Sequence, residues 1–195
     1  MYQLTDQKLS KLNKQIKRLF SRYKAIMKFD EFNVLEQSKR LYKELNELNE
    51  EVYLELANTY YKEINPKGKL SKKWLLGILL GYDAVTKYVY EHEVDRKRAR
   101  FAEALISSNT KSKEFVTAMN HWTRQTDQYG INITDAAVVQ AYEDVGIKKL
   151  KWNTERDGRV CPECKKRDGK IYNIKSLPSK PHYNCRCYYT PVKGD

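Results

Sequence analysis

Leu9, Leu12, Ile16, Leu19, Tyr23 and Ile26 recur at intervals of three and four, while Lys8, Lys11, Lys14 and Arg18 fall between them. That spacing predicts an amphipathic helix with one apolar seam. Leu41, Leu45, Leu48 and Val52 repeat the pattern after a break near Phe29 to Phe32, so residues 1–64 are expected to form an antiparallel helical hairpin. Its seams would serve as intramolecular core or as a surface for partner helices. Asn65-Pro66-Lys67-Gly68 reads as a linker. Beyond it, Ser71 is a candidate N-cap for helix-compatible sequence from Lys72 to about Ile106, with Gly77 and Gly81 one turn apart. Asp95-Arg96-Lys97-Arg98-Ala99-Arg100 reads as a solvated helix face. Two further helices are expected, Phe115 to Gln125 and Thr134 to Val145, the second begun by Thr134-Asp135 and stopped by Gly146.

From Ile147 the pattern changes. Short alternating or β-branched stretches, Ile147 to Trp152, Lys170 to Tyr172 and Tyr188 to Val192, are separated by Asp-Gly turns at 157–158 and 168–169. This predicts small β-rich structure. The fold class is therefore α+β, a mainly helical N-terminal body with a small β-rich C-terminal module. Its expected divisions are a hairpin (1–64), a helical body (71–146) and the module (147–195).

Charge sharpens this division. The chain has 195 residues and a formal net charge of +12, and 13 Lys/Arg against 5 Asp/Glu lie from Lys148 onward. The basic surplus thus belongs mostly to the C-terminal module, which implies either solubility or a polyanionic neighbour. Residues 1–28 carry 8 bases and one acid, whereas residues 30–63 carry 4 and 9, which favours two helices lying side by side. The N-terminus lacks the apolar run of a signal peptide, and Trp74 to Tyr82 is far shorter than the roughly 20 residues that cross a bilayer. A protein in a reducing compartment, with no membrane partner, is expected.

All four cysteines fall between 161 and 187, as Cys161-Pro162-Glu163-Cys164 and, seventeen residues on, His182-Tyr183-Asn184-Cys185-Arg186-Cys187. A Cys-x-x-Cys turn presents two thiolates to one ion, and a second pair closes a tetrahedral zinc shell. Five candidates, Cys161, Cys164, His182, Cys185 and Cys187, compete for four places. His182 and Cys185 come first because their spacing mimics the first turn, Cys187 matches Cys185 closely, and a four-cysteine shell with His182 outside is also open. The short hairpins would then be folded by a structural zinc ion.

Other chemistries fit less well. Disulfides need an oxidising compartment, and a thiol oxidoreductase turn needs a βαβ setting that does not precede Cys161. Zinc-stabilised nucleases of the His-Asn-His type need histidines for water activation, yet only His92, His121 and His182 are present, two in predicted helices. A closed zinc shell has no open position for water, no phosphate loop or serine elbow occurs, and Asp157 and Asp168 are explained by their turns. The chain is therefore expected not to be an enzyme and to have no small-molecule substrate.

Trp152-Asn153-Thr154, Asp157, Cys161-Pro162-x-Cys164, Asp168-Gly169-Lys170, Tyr172, Pro181-His182 and Cys185-Arg186-Cys187 together resemble the signature of the phage Mu protein F-like minor head proteins. A weaker likeness runs upstream through Arg124, Thr126, Tyr142 and Gly146 to Lys149. The match departs where Lys180 precedes Pro181 and Tyr183 follows His182, positions at which the family commonly has proline. The resemblance implies a minor capsid protein in the interior of the virion, made in the host cytoplasm and bound to the portal and other head proteins. It also places the chain near packaged double-stranded DNA. Lys165, Lys166, Arg167, Lys170 and Arg186 are the candidates for sequence-tolerant phosphate contacts. The rival class is a stand-alone zinc-containing nucleic-acid-binding regulator, which a defined operator would single out.

Overall fold

In a computed structural model that describes residues 2–27, 31–68, 72–89, 99, 111–182 and 185–192, the first seam winds into α1 (Tyr2–Ile26). Leu12, Ile16, Phe20, Tyr23 and Met27 are buried, whereas Ile26 is 48% exposed. The buried row advances by four, four, three and four residues. It therefore follows the 3.6-residue helix, and a strict 3.5-residue seam drifts off it by the third turn.

Helix α2 (Glu31–Ile64) runs past the expected seam for 34 residues, burying Leu41, Leu45 and Val52 and then Tyr53, Leu56, Ala57 and Tyr60. The opposite charges of α1 and α2 meet. Lys8 pairs with Glu55 and Arg22 with Glu44, while the Tyr23 hydroxyl donates to Glu44 at 2.6 Å. Pairs this exposed contribute little stability each, so their main effect is to fix the antiparallel register.

Helix α3 (Lys72–Val89) follows the linker and buries Ile78 and Tyr82. The Tyr82 hydroxyl donates to the Asn46 carbonyl at 2.7 Å, and its ring meets Tyr53 edge-on at 5.4 Å. Tyr23, Tyr60 and Tyr189 are used the same way, with the ring buried and the hydroxyl bonded to Glu44, Thr5 and the Pro178 carbonyl. Ser71, His92 and the charged residues of the 95–100 cluster lie outside the described residues.

One expectation is overturned. The two helices expected over 115–125 and 134–145 are a single 34-residue helix, α4 (Lys111–Asp144). Thr134 does not cap a new helix, because its hydroxyl donates to the Ile131 carbonyl at 2.9 Å in mid-helix. Burial of Trp122, Ile131, Ile133, Ala137, Val138 and Ala141 outweighs the low helix preference of the segment between them. The helix ends where expected. Gly146 takes φ +82, its N–H bonds to the Glu143 carbonyl, and the Ile147 N–H bonds to that of Tyr142, a Schellman stop.

The chain then forms an antiparallel sheet of three strands in the order β2-β1-β3, with β1 at Lys149–Asn153, β2 at Ile171–Asn173 and β3 at Tyr188–Pro191. A short helix, α5 (Pro162–Arg167), lies between β1 and β2. Leu150 and Trp152 are fully buried and join the same apolar core as the helices.

Glycines mark how close the helices come. A Cβ on Gly130 would stand 3.1 Å from Leu12 Cδ2, whereas one on Gly77 would meet nothing within 4 Å. Gly130→Leu is therefore expected to cost about 1–3 kcal/mol by overpacking α1 against α4. Gly77→Ala is expected to add about 0.8–1 kcal/mol of stability through helix propensity. Chemical denaturation of the two variants checks both signs.

Candidate metal centre

The Cys-Pro-x-Cys turn becomes a helix start. Cys161 is the N-cap of α5, its sulfur accepting the Cys164 N–H at 3.3 Å, and Pro162 occupies the first turn, where no backbone donor is needed. This points the Cys161 and Cys164 sulfurs the same way. The second group arrives on the segment that leads into β3, with Cys185 and Cys187 both buried and His182 exposed.

Cys164 is the meeting point. Its sulfur lies 3.6 Å from His182 Nε2 and 3.6 Å from Cys185 Sγ. Two triads of donor atoms share it, Cys161-Cys164-His182 and Cys164-Cys185-Cys187, each with its atoms within 4.8 Å of one another. All five sequence candidates are thus brought together. With Zn–S bonds of about 2.3 Å, the corners of a tetrahedral site stand about 3.7 Å apart, so the Cys164 spacings fit such a site. They do not fit a disulfide, whose sulfurs are about 2.0 Å apart, and all four cysteines are free thiols. The small pocket of about 20 Å³ between these side chains has room for one ion or a water.

The thiols are also electrically unequal. Hydrogen bonding from the Cys187 thiol, aided by Lys180, pulls Cys185 down to about 5, and the Cys164 backbone N–H lowers Cys161. Burial drives Cys164 up to about 12, and the bond that Cys187 gives Cys185, together with burial, raises Cys187. The sulfurs are thus driven apart in acidity, because anions at this spacing repel one another in a desolvated site. A cation in their midst reverses that logic and favours deprotonation of all. The cluster is a site that could hold a metal ion.

The surrounding module is not coreless, contrary to the expectation that the metal alone folds its hairpins. Trp152 meets the Tyr189 ring edge-on at 5.4 Å and lies under the Arg167 guanidinium at 5.1 Å. Ile174 and Leu150 complete the packing.

Of the five candidate phosphate-binding residues, Lys165, Lys166 and Lys170 are exposed, with Lys166 bonded to Glu163 at 2.8 Å. The other two are engaged within the module. Arg167 donates to the Ser179 carbonyl at 2.7 Å, and Arg186 grips both Asp157 oxygens at 2.7 Å. His121 is exposed on α4, away from the cluster.

Three supporting contacts escaped the sequence reading. Asp157, held low by Arg186, braces the stretch between Cys185 and Cys187. Asp168 accepts the buried Thr154 N–H at 2.9 Å and pairs with Arg156 at 3.2 Å. Lys180 and Asp135 form a 2.8 Å ion pair whose side chains are 7% and 21% exposed. The first two sit in Asp-Gly turns that account for themselves locally, and the third joins residues 45 apart with no local signal.

Fold and site together define a helical protein that carries a metal-capable cysteine–histidine knuckle docked on α4. The chain belongs to the family described as phage Mu protein F like protein, which matches residues 80–190. That match covers the second half of α3, all of α4 and the knuckle. A curated protein of Haemophilus influenzae, described as uncharacterized, is 38% identical over 64 residues, which are 30% of this chain and 14% of that protein. The chain thus matches only a small part of that relative's length. No solved structure matches the chain.

The Asp168 contact yields a test. Its carboxyl is lowered chiefly by the Thr154 N–H, so its contribution to folding is complete above the unfolded value near 3.9 and is lost as pH falls through the lower folded value. Asp168→Ala is expected to cost about 1–3 kcal/mol by stranding the buried N–H. Asp168→Asn retains an acceptor and is expected to cost less. Urea titrations at pH 7 and pH 3 should bring wild type and Asp168→Ala closer together at the lower pH.

Proposed function

We propose that this protein is a non-catalytic minor capsid protein that acts at the portal inside the procapsid, with its zinc-clasped basic module against packaged DNA. The observation that carries the reading is the family match, which runs without a break from α3 through the knuckle. Zinc is the ion that suits the donor set, since thiolates and imidazole at tetrahedral spacing are its preferred ligands. Cys161, Cys164 and Cys185 supply three ligands, and His182 or Cys187 the fourth. Bound zinc supplies a cross-link between the α5 turn and the segment leading into β3.

Toward DNA, Lys165, Lys166 and Lys170 offer charge without shape. Such contacts release counterions and do not read bases, so binding is sequence-tolerant and salt-dependent. Arg167 and Arg186 add to the local positive field from behind their intramolecular partners.

Purified heads are the decisive material: the protein is expected in them at low copy number and cross-linked to the portal protein. Its absence from heads overturns the proposal, and tight binding to one defined operator would favour a regulator instead. Elemental analysis is expected to find one zinc per chain, with the thiols unreactive until a chelator is added. Cys164→Ser is expected to lose that zinc and the ordered environment of Trp152 while far-ultraviolet circular dichroism stays largely helical; a metal-free wild type with the same near-ultraviolet spectrum would refute the zinc. For random duplex DNA, three lysine contacts predict a log–log salt slope of about −3, and Lys165→Glu/Lys166→Glu/Lys170→Glu is expected to flatten it.

A further inference from the structure

Helix α1 carries cations on two flanks, and its neighbours treat them differently. On the α2 flank Lys8 pairs with Glu55 and Arg22 with Glu44, and Arg18 shares a groove with Glu44, Glu47 and Glu51. On the α4 flank lie Lys14, Lys17 and Lys24, whose spacings of three and seven residues keep them on one side of the helix. There the crevice between α1 and α4 opens into a groove of about 490 Å³, walled by Lys17, Ser21 and Lys24 on α1 and by Asn120, Thr123 and Arg124 on α4. Lys17 also lines the neighbouring cavity together with Lys14, so the row is continuous.

Asp127 is the single acid among the residues that line the groove. It is partly buried and interacts with Lys17, which leaves Lys14, Lys24 and Arg124 with no acidic partner among the described residues. All four cations are exposed. Like charges gathered on one surface repel one another and work against the compact state, so folding does not account for them. Lysine is depleted from protein–protein interfaces, whereas lysine, arginine, serine, threonine and asparagine side chains are the usual donors to phosphate. Lys14 and Lys24 stand roughly 15 Å apart along the helix. One strand of duplex DNA advances about 3.4 Å per phosphate, so roughly four phosphates span a row of four cations.

We propose that this row is a second DNA-backbone surface, on the helical body, where Lys14, Lys17, Lys24 and Arg124 bind a run of phosphates of duplex DNA independently of the knuckle lysines. It rests on the reading of the protein as a DNA-facing head component, yet it uses none of the residues assigned to that contact above. Ser21, Thr123 and Asn120 supply neutral donors between the charges. Contacts of this kind go to the backbone and fix position without reading sequence.

The test starts from Lys165→Gln/Lys166→Gln/Lys170→Gln, which removes the knuckle contacts from the full chain. With the row intact, this variant is expected to bind random duplex DNA with a log–log salt slope of about −3 to −4, so loss of the knuckle lysines flattens the wild-type slope only part of the way. Adding Lys14→Gln/Lys24→Gln/Arg124→Gln should reduce the remaining slope to about −1. Lys17 is kept because its charge offsets that of Asp127. The added substitutions should leave helical circular dichroism unchanged and the thermal midpoint unchanged or higher, as relief of repulsion requires. A lower midpoint would show that these side chains serve folding and overturns the proposal. Bound duplex should also protect Lys14, Lys17 and Lys24 from acetylation, read by mass spectrometry, while the exposed Lys43 on α2 stays reactive. A knuckle variant that no longer binds, or added substitutions that leave its slope unchanged, overturns the row and leaves the knuckle reading standing. Equal binding of polyglutamate would identify an acidic protein as the occupant and overturns it as well. DNA binding through the row by a protein that is absent from heads would overturn the head reading and leave the row standing.

Discussion

Sulfur is concentrated around Cys164 in a space too small for its charges. With partners on two sides at 3.6 Å, this buried thiol stands between Cys161, which a backbone N–H favours as thiolate, and Cys185, which Cys187 favours as thiolate. Without a cation the sulfurs differ in acidity and are held by hydrogen bonds between soft atoms. Such bonds are weak, and the arrangement must be imposed by the chain around it. The remainder of the C-terminal module can be understood as that imposition: the N-cap that aims Cys161, the Asp157–Arg186 fork that braces the second limb, and the Trp152 core beneath both.

The imposition extends into the helical body through α4. Lys180 reaches across from the segment that carries His182 and Cys185 to Asp135 in the middle of that helix. Burial pushes the Asp135 carboxyl up and Lys180 pulls it down, so the acid is tolerated there because its partner arrives with it. A buried pair of this kind adds little net stability, yet removing one partner leaves a costly lone charge. It therefore acts as a positional lock. The knuckle segment docks in one register on α4 or leaves Asp135 stranded, and the shared apolar core of Leu150, Tyr142 and Ala141 follows the same register.

How much of this was legible in the sequence depended on how local the cause was. The α1 seam, the acidic complement in α2, the Gly146 stop and the three strand positions are set by residues within a turn or two of each other, and they appear nearly where the pattern put them. The knuckle was legible because ligand spacing is itself local. α4 was misread as two helices because Thr134-Asp135 is a start signal by propensity. Only tertiary contact, α1 approaching within van der Waals distance of Gly130, shows why a small residue is needed there in a continuing helix. The Lys180–Asp135 pair was invisible for the same reason, since it is defined by segments far apart in the chain. The phosphate candidates were half legible. Charge could be counted, but the capture of Arg167 by Trp152 and Ser179, and of Arg186 by Asp157, could not.

That redistribution of charge bears on how the module meets its surroundings. If all five basic candidates were exposed together, the knuckle would present one continuous cationic cap. Instead the arginines, whose planar forks suit phosphate best, are spent inside on a ring, a carbonyl and a carboxylate, and the flexible lysines are left outside. Lysines contribute point charges with little directional demand, so the outer face of the module is cationic without a fixed hydrogen-bonding geometry.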